Sequence, residues 1–202
     1  MKGLAAAVCF IVIVSCHETA PKLPILGEPS IAGGDTIYPT IANFSFYDQD
    51  SNAISNNSFS NKIYVADFIF LSCPTICPVM TKQVQIVYKT YASDERVAFI
   101  SHTIDPKNDT IPRLRAYANK LGVSSKRWHF VTGDKDSIYS IANKSYFSAA
   151  YPDSSAPGGF THSGGLLLVD KNRHIRGVYN ATRPEETARL INDIQILLKE
   201  QF

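Results

Sequence analysis

The amino-acid sequence predicts an α/β domain in which a central mixed sheet is flanked by helices and preceded by an extra hairpin. The first observation is that strand-like and helix-like segments alternate from residue 62 to residue 198. The second is the composition, since a chain of 202 residues that is 45% hydrophobic can bury one sizeable core. The third is a pair of cysteines at the point where the first long strand gives way to a helix.

Each element has its own signal. Residues 62–71 (KIYVADFIFL) are rich in β-branched and aromatic side chains, as expected for a central strand. Apolar residues at helical spacing, with end signals such as the Gly122 that follows the second helix, predict the helices. Further strands are predicted at residues 44–48, 96–104, 129–131, 165–169 and 174–179, and helices at residues 79–91, 111–121, 133–143 and 185–198.

The N-terminal residues have the pattern of a targeting segment. Lys2 precedes an apolar run, residues 4–14, that is shorter than the roughly 20 residues of a membrane-spanning helix. The run ends in Ile13-Val14-Ser15-Cys16, which resembles the lipobox of bacterial lipoproteins, whose cysteine is acylated and becomes the mature N-terminus. We therefore expect a signal peptide at residues 1–15 and a lipid on Cys16. An ordinary signal peptide or a buried helix is the alternative.

The segment that follows has the composition of a tether. Residues 16–38 are rich in proline and glycine and show no periodicity, so we expect a flexible link between a lipid anchor and a folded domain at residues 39–202. This arrangement predicts a membrane-anchored lipoprotein on the extracytoplasmic (periplasmic) side. The formal net charge is only +2 and no basic patch is present, so nucleic acid is not an expected partner.

The cysteine pair allows three interpretations. Of the four cysteines, Cys9 and Cys16 belong to the N-terminal segment, which leaves Cys73 and Cys77 in the domain. They could be a redox pair, ligands of a soft metal or a structural disulfide. The disulfide is the weakest interpretation, because closing so small a loop removes little chain entropy from the unfolded state.

Local sequence favours a reactive or metal-binding pair. Pro78 fits the first turn of a helix, so the helix should begin near Cys77 and its N–H groups should lower the pKa of both thiols. Soft thiolates select Cu(I), zinc or iron–sulfur clusters, and two ligands are too few for a closed zinc site. The best candidate for a third ligand is His162, in a glycine-rich loop before the strand at residues 165–169.

A strand, two closely spaced cysteines and a helix form the arrangement of thioredoxins, here with one more residue between the cysteines. Over residues 40–200 the chain is similar to the SCO/SenC family of copper-binding proteins that assemble cytochrome c oxidase. The motifs that carry this resemblance are Cys73-Pro-Thr-Ile-Cys77-Pro78, Thr103-Ile-Asp-Pro-Lys-Asn-Asp-Thr110, Trp128-His-Phe-Val-Thr-Gly133 and His162-Ser163. The resemblance implies a thioredoxin-like fold, a copper ion as cofactor with Cys73, Cys77 and His162 as ligands, and a disulfide that the same cysteines can form.

Three residues depart from what these families show. Thr75 and Thr161 stand where the SCO/SenC family often has aspartate, which removes negative charge near the metal but leaves the ligands in place. Asp67 interrupts the apolar strand six residues before Cys73, as a buried aspartate does in thioredoxins, where it aids proton transfer. A buried Asp67 should have a raised pKa and could accept a thiol proton. Alternatively, it pairs with a lysine or caps a loop on the far face.

The remaining histidines and two acidic residues are weaker candidates. We expect His17 and His174 to face solvent and His129 to pack beside Trp128, while His102 could approach the site but is more typical of a buried residue. Asp105 and Asp109 are expected to fix their loop through backbone groups, and they could also lie around the metal ligands.

These residues and motifs support two functions. The first is a copper chaperone that passes its ion to the dinuclear copper site of cytochrome c oxidase. Its expected partners are the copper-bearing oxidase subunit, the membrane through the lipid, and other copper chaperones or thiol reductases. The alternative is an extracytoplasmic thiol–disulfide oxidoreductase that uses Cys73 and Cys77 as its redox pair. A peroxidase fits less well, because the cysteine turn contains no arginine.

Overall fold

A computed structural model describes residues 21–148 and 150–202 of the chain. The strands are β1 (Ser30–Ala32), β2 (Asp35–Ile37), β3 (Ser45–Tyr47), β4 (Ala53–Ser55), β5 (Ile63–Ile69), β6 (Val97–Thr103), β7 (Trp128–Val131), β8 (Ala150–Pro152), β9 (Phe160–His162), β10 (Gly165–Val169) and β11 (Ile175–Asn180). The helices are α1 (Ile76–Thr90), α2 (Ile111–Leu121), α3 (Lys135–Lys144) and α4 (Pro184–Gln201). Short 3-10 turns occupy Asn56–Phe59 and Pro157–Gly159.

The central sheet has five strands in the order β11-β10-β5-β6-β7. Strands β5, β6 and β7 are parallel, whereas β10 runs antiparallel to both β5 and β11, so the sheet is mixed as predicted. All seven residues of β5 and all seven of β6 are buried, as expected for parallel strands at the centre of a sheet that is covered on both faces. The predicted α/β fold and its order of elements are therefore confirmed.

The extra N-terminal hairpin is also present. Strands β3 and β4 pair with Phe46 opposite Ile54, and both side chains lie in the core. Tyr47 forms a bridge with Thr132 at the end of β7, which fixes the hairpin beside the sheet. The hairpin thus extends the hydrophobic core rather than standing apart from it.

Two short hairpins were not predicted. Strands β1 and β2 turn at Gly33 and Gly34, whose φ angles of 62° and 90° suit glycine. Strands β8 and β9 have only three residues each, which is too short for an alternating pattern to appear in the sequence. The second of these hairpins matters for function, because it carries His162.

Part of the predicted tether contacts the domain. The Leu26 N–H donates to the Ile175 carbonyl at 2.8 Å, and Leu23 and Leu26 pack against the core. The buried Arg176 guanidinium donates to the Pro24 carbonyl at 3.0 Å. This stretch is held because β11 offers backbone partners and a buried cation at the sheet edge. The predicted signal peptide, Cys16 and His17 lie outside the described residues, and none of the described helices is both long and apolar enough to span a bilayer.

Candidate metal centre

Two distant segments meet at the carboxyl end of β5. The turn after β5 and the start of α1 carry Cys73 and Cys77, while the β8–β9 hairpin carries His162. The two sulfur atoms and a ring nitrogen of His162 all lie within 4.8 Å of one another. Both cysteines are free thiols. The structure therefore brings together the three residues that the sequence predicts as ligands.

The cysteine turn wraps around the start of α1. The Cys73 N–H donates to the Phe70 carbonyl at 3.1 Å, which closes the turn after the strand. The helix begins at Ile76, within one residue of the expected start, and the Cys77 N–H points at the Cys73 sulfur at 3.5 Å. The Cys77 N–H, which has no partner within the helix, thus donates to Cys73 and not to the Cys77 thiol itself.

The two thiols differ in acidity, contrary to the expectation that both would be acidic. Burial opposes ionisation of Cys73, but hydrogen bonds from the backbone of Cys77 and Thr75 outweigh it, so its pKa is lowered. Burial raises the pKa of Cys77 well above its usual range, and the nearby Cys73 and Asp67 add to the effect. The helix end therefore activates Cys73 alone.

His162 is oriented by its own neighbour. Its Nδ1 lies 3.2 Å from the Ser163 carbonyl, which can only accept, so Nδ1 carries the proton. The free Nε2 faces the Cys77 sulfur at 3.2 Å. Burial lowers the pKa of His162 despite hydrogen bonds to the Ser163 and Phe68 carbonyls that act in the opposite direction. A neutral imidazole with its lone pair aimed at the thiols is the form in which histidine binds a metal.

Aromatic packing holds the histidine hairpin against the cysteine turn. The Phe70 ring lies 5.2 Å from that of Phe160 and 5.6 Å from that of His162, centroid to centroid. Gly158 has a φ of +81°, and a Cβ there would come within 2.6 Å of the Phe70 ring. His162 is therefore the last residue of a short strand, paired with Ala150, and not part of a free loop. Sequence reasoning missed the roles of Phe70 and Ser163, although the Gly158-Gly159 pair signalled a constrained backbone.

Asp109 also holds the cysteine turn, through the backbone of Leu71. Its Oδ2 accepts from the Leu71 N–H at 3.0 Å and from the Thr103 hydroxyl at 2.6 Å. Asp105 accepts from the Asn108 side-chain amide at 2.8 Å. The expected bonds to backbone groups are found for Asp109 alone, and they hold the cysteine turn at Leu71 rather than the loop of Asp109 itself, whereas Asp105 fixes its loop through the Asn108 side chain. Burial raises the pKa of Asp109, which opposes the effect of its two hydrogen bonds.

Asp67 is buried behind the cysteines. It accepts a 2.5 Å hydrogen bond from Ser101, which in turn accepts from the Trp128 indole at 2.9 Å. Burial raises the pKa of Asp67 to about 7, against the lowering effect of Ser101. The alternatives of a lysine partner and of a cap on the far face are wrong, because Asp67 lies inside the sheet and binds Ser101.

The other described histidines do not join the centre. His102 is fully buried and stacks on Phe68 at 5.0 Å, so its possible approach to the site is excluded. His129 binds Asp48 at 3.1 Å as well as packing on Phe59. His174 is half-buried rather than solvent-facing, since its Nδ1 bonds to the Pro39 carbonyl at 3.0 Å.

The two threonine departures have distinct local roles. The Thr75 hydroxyl lies 3.7 Å from the Cys73 sulfur, so it offers a polar contact where an aspartate would offer a charge. The Thr161 hydroxyl donates to Asp153 at 2.9 Å. The histidine hairpin therefore keeps a carboxylate even without an aspartate at residue 161.

The donor set fits a soft metal ion. Two thiolates and one imidazole suit Cu(I) or zinc, whereas carboxylate oxygens would favour magnesium or calcium. In the described part of the chain, no fourth histidine, cysteine or acidic side chain joins this group. A closed structural zinc site needs four ligands, so three donors fit a three-coordinate copper ion better.

Comparisons with known proteins point to one family. The family model described as SCO1/SenC matches residues 35–199. The SCO1 protein homolog of Bacillus subtilis is 29% identical over 197 residues, covering 96% of this chain and 95% of that protein.

Solved structures share the fold. A SCO1/SenC family lipoprotein from Bacillus anthracis superposes with a TM-score of 0.72 at 25% identity, covering 79% of this chain and 95% of that one. BsSco, described as having a disulfide switch and as a member of the Sco family of cytochrome c oxidase assembly proteins, gives a TM-score of 0.66 at 26% identity, with coverages of 77% and 92%. Copper-bound ScoI of Bradyrhizobium japonicum, at 23% identity and a TM-score of 0.64 with coverages of 76% and 98%, supports the fold alone.

Proposed function

Because the chain belongs to the SCO1/SenC family, we propose that it binds one copper ion through Cys73, Cys77 and His162 and delivers it to the dinuclear copper site of cytochrome c oxidase. The observation that carries the proposal is the convergence of two sulfur atoms and one ring nitrogen within 4.8 Å. The role in oxidase assembly is supported by the description of BsSco as a cytochrome c oxidase assembly protein.

The arrangement suits an ion that must be released. Cys73 and Cys77 belong to one turn, whereas His162 arrives on a separate hairpin of six paired residues. The imidazole can therefore move away from the thiolates without disturbing the central sheet. Three ligands also leave a coordination position that a donor atom of the recipient can enter, so transfer can proceed by exchange of one ligand at a time.

We further propose that the protein is a lipoprotein held at the extracytoplasmic face of the membrane by a lipid on Cys16. The proposal is supported by the Ile13-Val14-Ser15-Cys16 pattern and by the description of the Bacillus anthracis protein as a lipoprotein. Mass spectrometry of the N-terminal peptide tests it. A mature chain that begins at an acylated Cys16 supports the anchor, and an unmodified Cys16 in a longer chain contradicts it.

Copper loading of the reduced full chain tests the metal site. We expect about one Cu(I) per chain under anaerobic conditions, measured by metal analysis after competition with a Cu(I) chelator of known affinity. The Cys73→Ser/Cys77→Ser variant should retain none. The His162→Ala variant should bind more weakly by at least roughly 10- to 100-fold, because the loss of a ligand costs no less than the loss of a residue that orients one.

His174→Ala is the matched control, because His174 is also half-buried and bonds through Nδ1 to a backbone carbonyl. Its copper affinity should equal that of the unmodified chain. Equal weakening in the two histidine variants would contradict the site, as would copper retention without the cysteines.

A second function has its own supporting observation. Cys73 is a free thiol whose pKa is lowered by backbone hydrogen bonds. Its thiolate could attack a disulfide of a partner, forming a mixed disulfide and releasing one partner thiolate. Cys77 would then attack Cys73 in that mixed disulfide, leaving a Cys73–Cys77 disulfide and a fully reduced partner.

His162 separates the two functions. Copper binding needs its imidazole, whereas dithiol exchange needs only the sulfur atoms. With oxidised glutathione as the probe, an oxidoreductase should react equally fast with and without His162→Ala and should lose its activity in Cys73→Ser. A chain that exchanges dithiols slowly in both forms but holds copper tightly is a chaperone alone.

A further inference from the structure

A groove leads away from the metal centre between helices α1 and α2. It has a volume of about 490 Å³, and both Cys73 and Cys77 line one end of it. His162 is not among its lining residues, because the histidine hairpin approaches the sulfur atoms from a different direction. The cysteines are only 8% and 4% exposed, but no residue of the histidine hairpin lines the groove, so a group that reaches them along it meets the sulfur atoms without displacing the hairpin first.

The walls of the groove carry positive charge. Lys82 of α1 and Lys120 of α2 both line it, and both are exposed. Neither helix contains an aspartate or glutamate, in contrast to α4, which has four. The groove is therefore lined by two lysines and by no acidic residue, on a chain whose formal net charge is only +2.

Among the described residues, Lys82 and Lys120 have no ion-pair partner. Arg113 and Arg115, also on α2, form ion pairs with Asp109 and Asp50. Lys82 and Lys120 form none among the residues described. A carboxylate that enters the groove would therefore gain two partners without breaking an existing pair.

The floor of the groove is suited to a peptide. Leu71, Pro78 and Leu121 provide apolar surface along it. The Tyr117 hydroxyl donates to Thr81 at 2.9 Å, so two polar side chains are fixed in position between the apolar ones. Apolar surface between fixed polar groups is typical of sites that bind extended segments of chain.

We propose that this groove binds an extended acidic segment of the protein that exchanges copper with this chain. Lys82 and Lys120 would hold its carboxylates and place the residues next to them at Cys73 and Cys77. The inference rests on the proposed function, because it names the surface on which copper exchange begins. Charge complementarity of this kind mainly speeds encounter and fixes the orientation of the partner.

The test uses a ten-residue peptide of alternating glutamate and leucine, with a control peptide in which glutamine replaces glutamate. Each is titrated into the reduced, ¹⁵N-labelled full chain in detergent micelles, and amide chemical shifts are recorded. We expect saturable shifts at Thr81, Lys82, Tyr117 and Lys120 with the acidic peptide alone, weakening as salt is added. Lys82→Glu/Lys120→Glu should reduce the affinity by roughly tenfold or more.

The matched control is Lys89→Glu/Lys126→Glu, which makes the same change in net charge at two exposed lysines that do not line the groove. Lys89 and Lys120 also both lie in the last turn of their helices. Equal loss of affinity in the two double variants would overturn the inference, as would shifts spread over all basic residues or no shifts at all.

Copper stoichiometry of the same variants separates the two proposals. Lys82→Glu/Lys120→Glu should still hold about one Cu(I), because neither lysine is a ligand. If the chain binds copper but the peptide does not bind in the groove, only this inference fails. If the peptide binds in the groove but the chain holds no copper, the groove still stands as a binding site for acidic segments and the proposed function fails.

Discussion

The Cys77 sulfur lies 3.2 Å from Nε2 of His162, although 85 positions separate the two residues in the chain. This contact depends on a backbone carbonyl at Ser163, which fixes the proton on Nδ1, and on the Phe70 ring against which the imidazole packs. The three donor atoms therefore come together because the β8–β9 hairpin packs on the Phe70 ring. Substitutions that disturb this packing should weaken copper binding even though they leave Cys73, Cys77 and His162 unchanged.

Gly158→Ala should weaken Cu(I) binding by roughly 10- to 100-fold, a range typical of residues that orient metal ligands. A Cβ at Gly158 would meet the Phe70 ring at 2.6 Å and push the hairpin outward. Gly159→Ala is the control, because its φ of +84° imposes a similar backbone strain but no atom lies within 4 Å of the added Cβ. Chelator competition measures both affinities, and similar losses in the two variants would contradict the role of Phe70.

The sequence was sufficient to predict the central architecture and the three converging donors. Long strands such as β5 and long helices such as α1 leave strong periodic signals, and the cysteine spacing marks the site directly. The strand that positions His162 could not be predicted, because β8 and β9 are too short to show an alternation of apolar and polar residues. The different pKa values of Cys73 and Cys77 could not be predicted from the sequence either. They depend on which sulfur accepts from the helix N–H groups and on which sulfur is more deeply buried.

Asp67→Asn should change how stability depends on pH. The native pKa of about 7 exceeds the unfolded value of about 3.9, so the native state binds more protons between these values. The stabilising contribution of protonated Asp67 is present below pH 4 and is lost as the pH rises to 7, by up to about 4 kcal/mol in total. Urea unfolding of the apo chain and of Asp67→Asn from pH 4 to pH 8 measures this, because the stability of the unmodified chain relative to the variant should fall as the pH rises.

Ser101→Ala should shift the pH range over which ionisation of Asp67 lowers stability. Removing the 2.5 Å hydrogen bond to the carboxyl group takes away the one interaction that lowers its pKa, so the loss of stability with rising pH should extend above pH 7. A pH profile that is identical in the unmodified chain and in Asp67→Asn would show that this carboxyl group does not titrate with a raised pKa.

His102→Leu should change the pH dependence in the opposite direction. Burial lowers the pKa of His102 from 6.5 to about 3, so the unfolded state binds more protons between these values. Its contribution to stability is present above pH 6.5 and is lost as the pH falls towards 3. From pH 4 to pH 6.5 this opposes the effect of Asp67, with slopes of about 1.4 kcal/mol per pH unit each.

The unmodified chain should therefore show a flatter profile in that window than either variant. Stability of Asp67→Asn should rise with pH between 4 and 6.5, and stability of His102→Leu should fall. Because both His102 ring nitrogens lack a hydrogen-bond partner among the described residues, the leucine should also not leave a buried polar group unpaired. Copper affinity should be unchanged in His102→Leu, and a large loss would mean that His102 acts on the metal centre after all.

Arg176 links the N-terminal stretch to the end of the chain. Its guanidinium binds Asp170 at 3.0 Å and Glu200 at 2.7 Å, and it also donates to the Leu23 and Pro24 carbonyls. The Arg176 side chain is only 3% exposed and that of Asp170 only 1%. One buried cation therefore neutralises two carboxylates and satisfies two backbone groups at the edge of the sheet.

Arg176→Met should destabilise the domain by about 3–5 kcal/mol, because it leaves a buried carboxylate without its cation. Arg183→Met is the matched control, since Arg183 pairs with Glu185 at the surface, where such a pair contributes less than about 1 kcal/mol. Urea unfolding gives both free energies, and limited proteolysis reports whether Leu23 and Pro24 detach. If Arg176→Met costs no more than Arg183→Met, the N-terminal stretch is held by the apolar contacts of Leu23 and Leu26 rather than by Arg176.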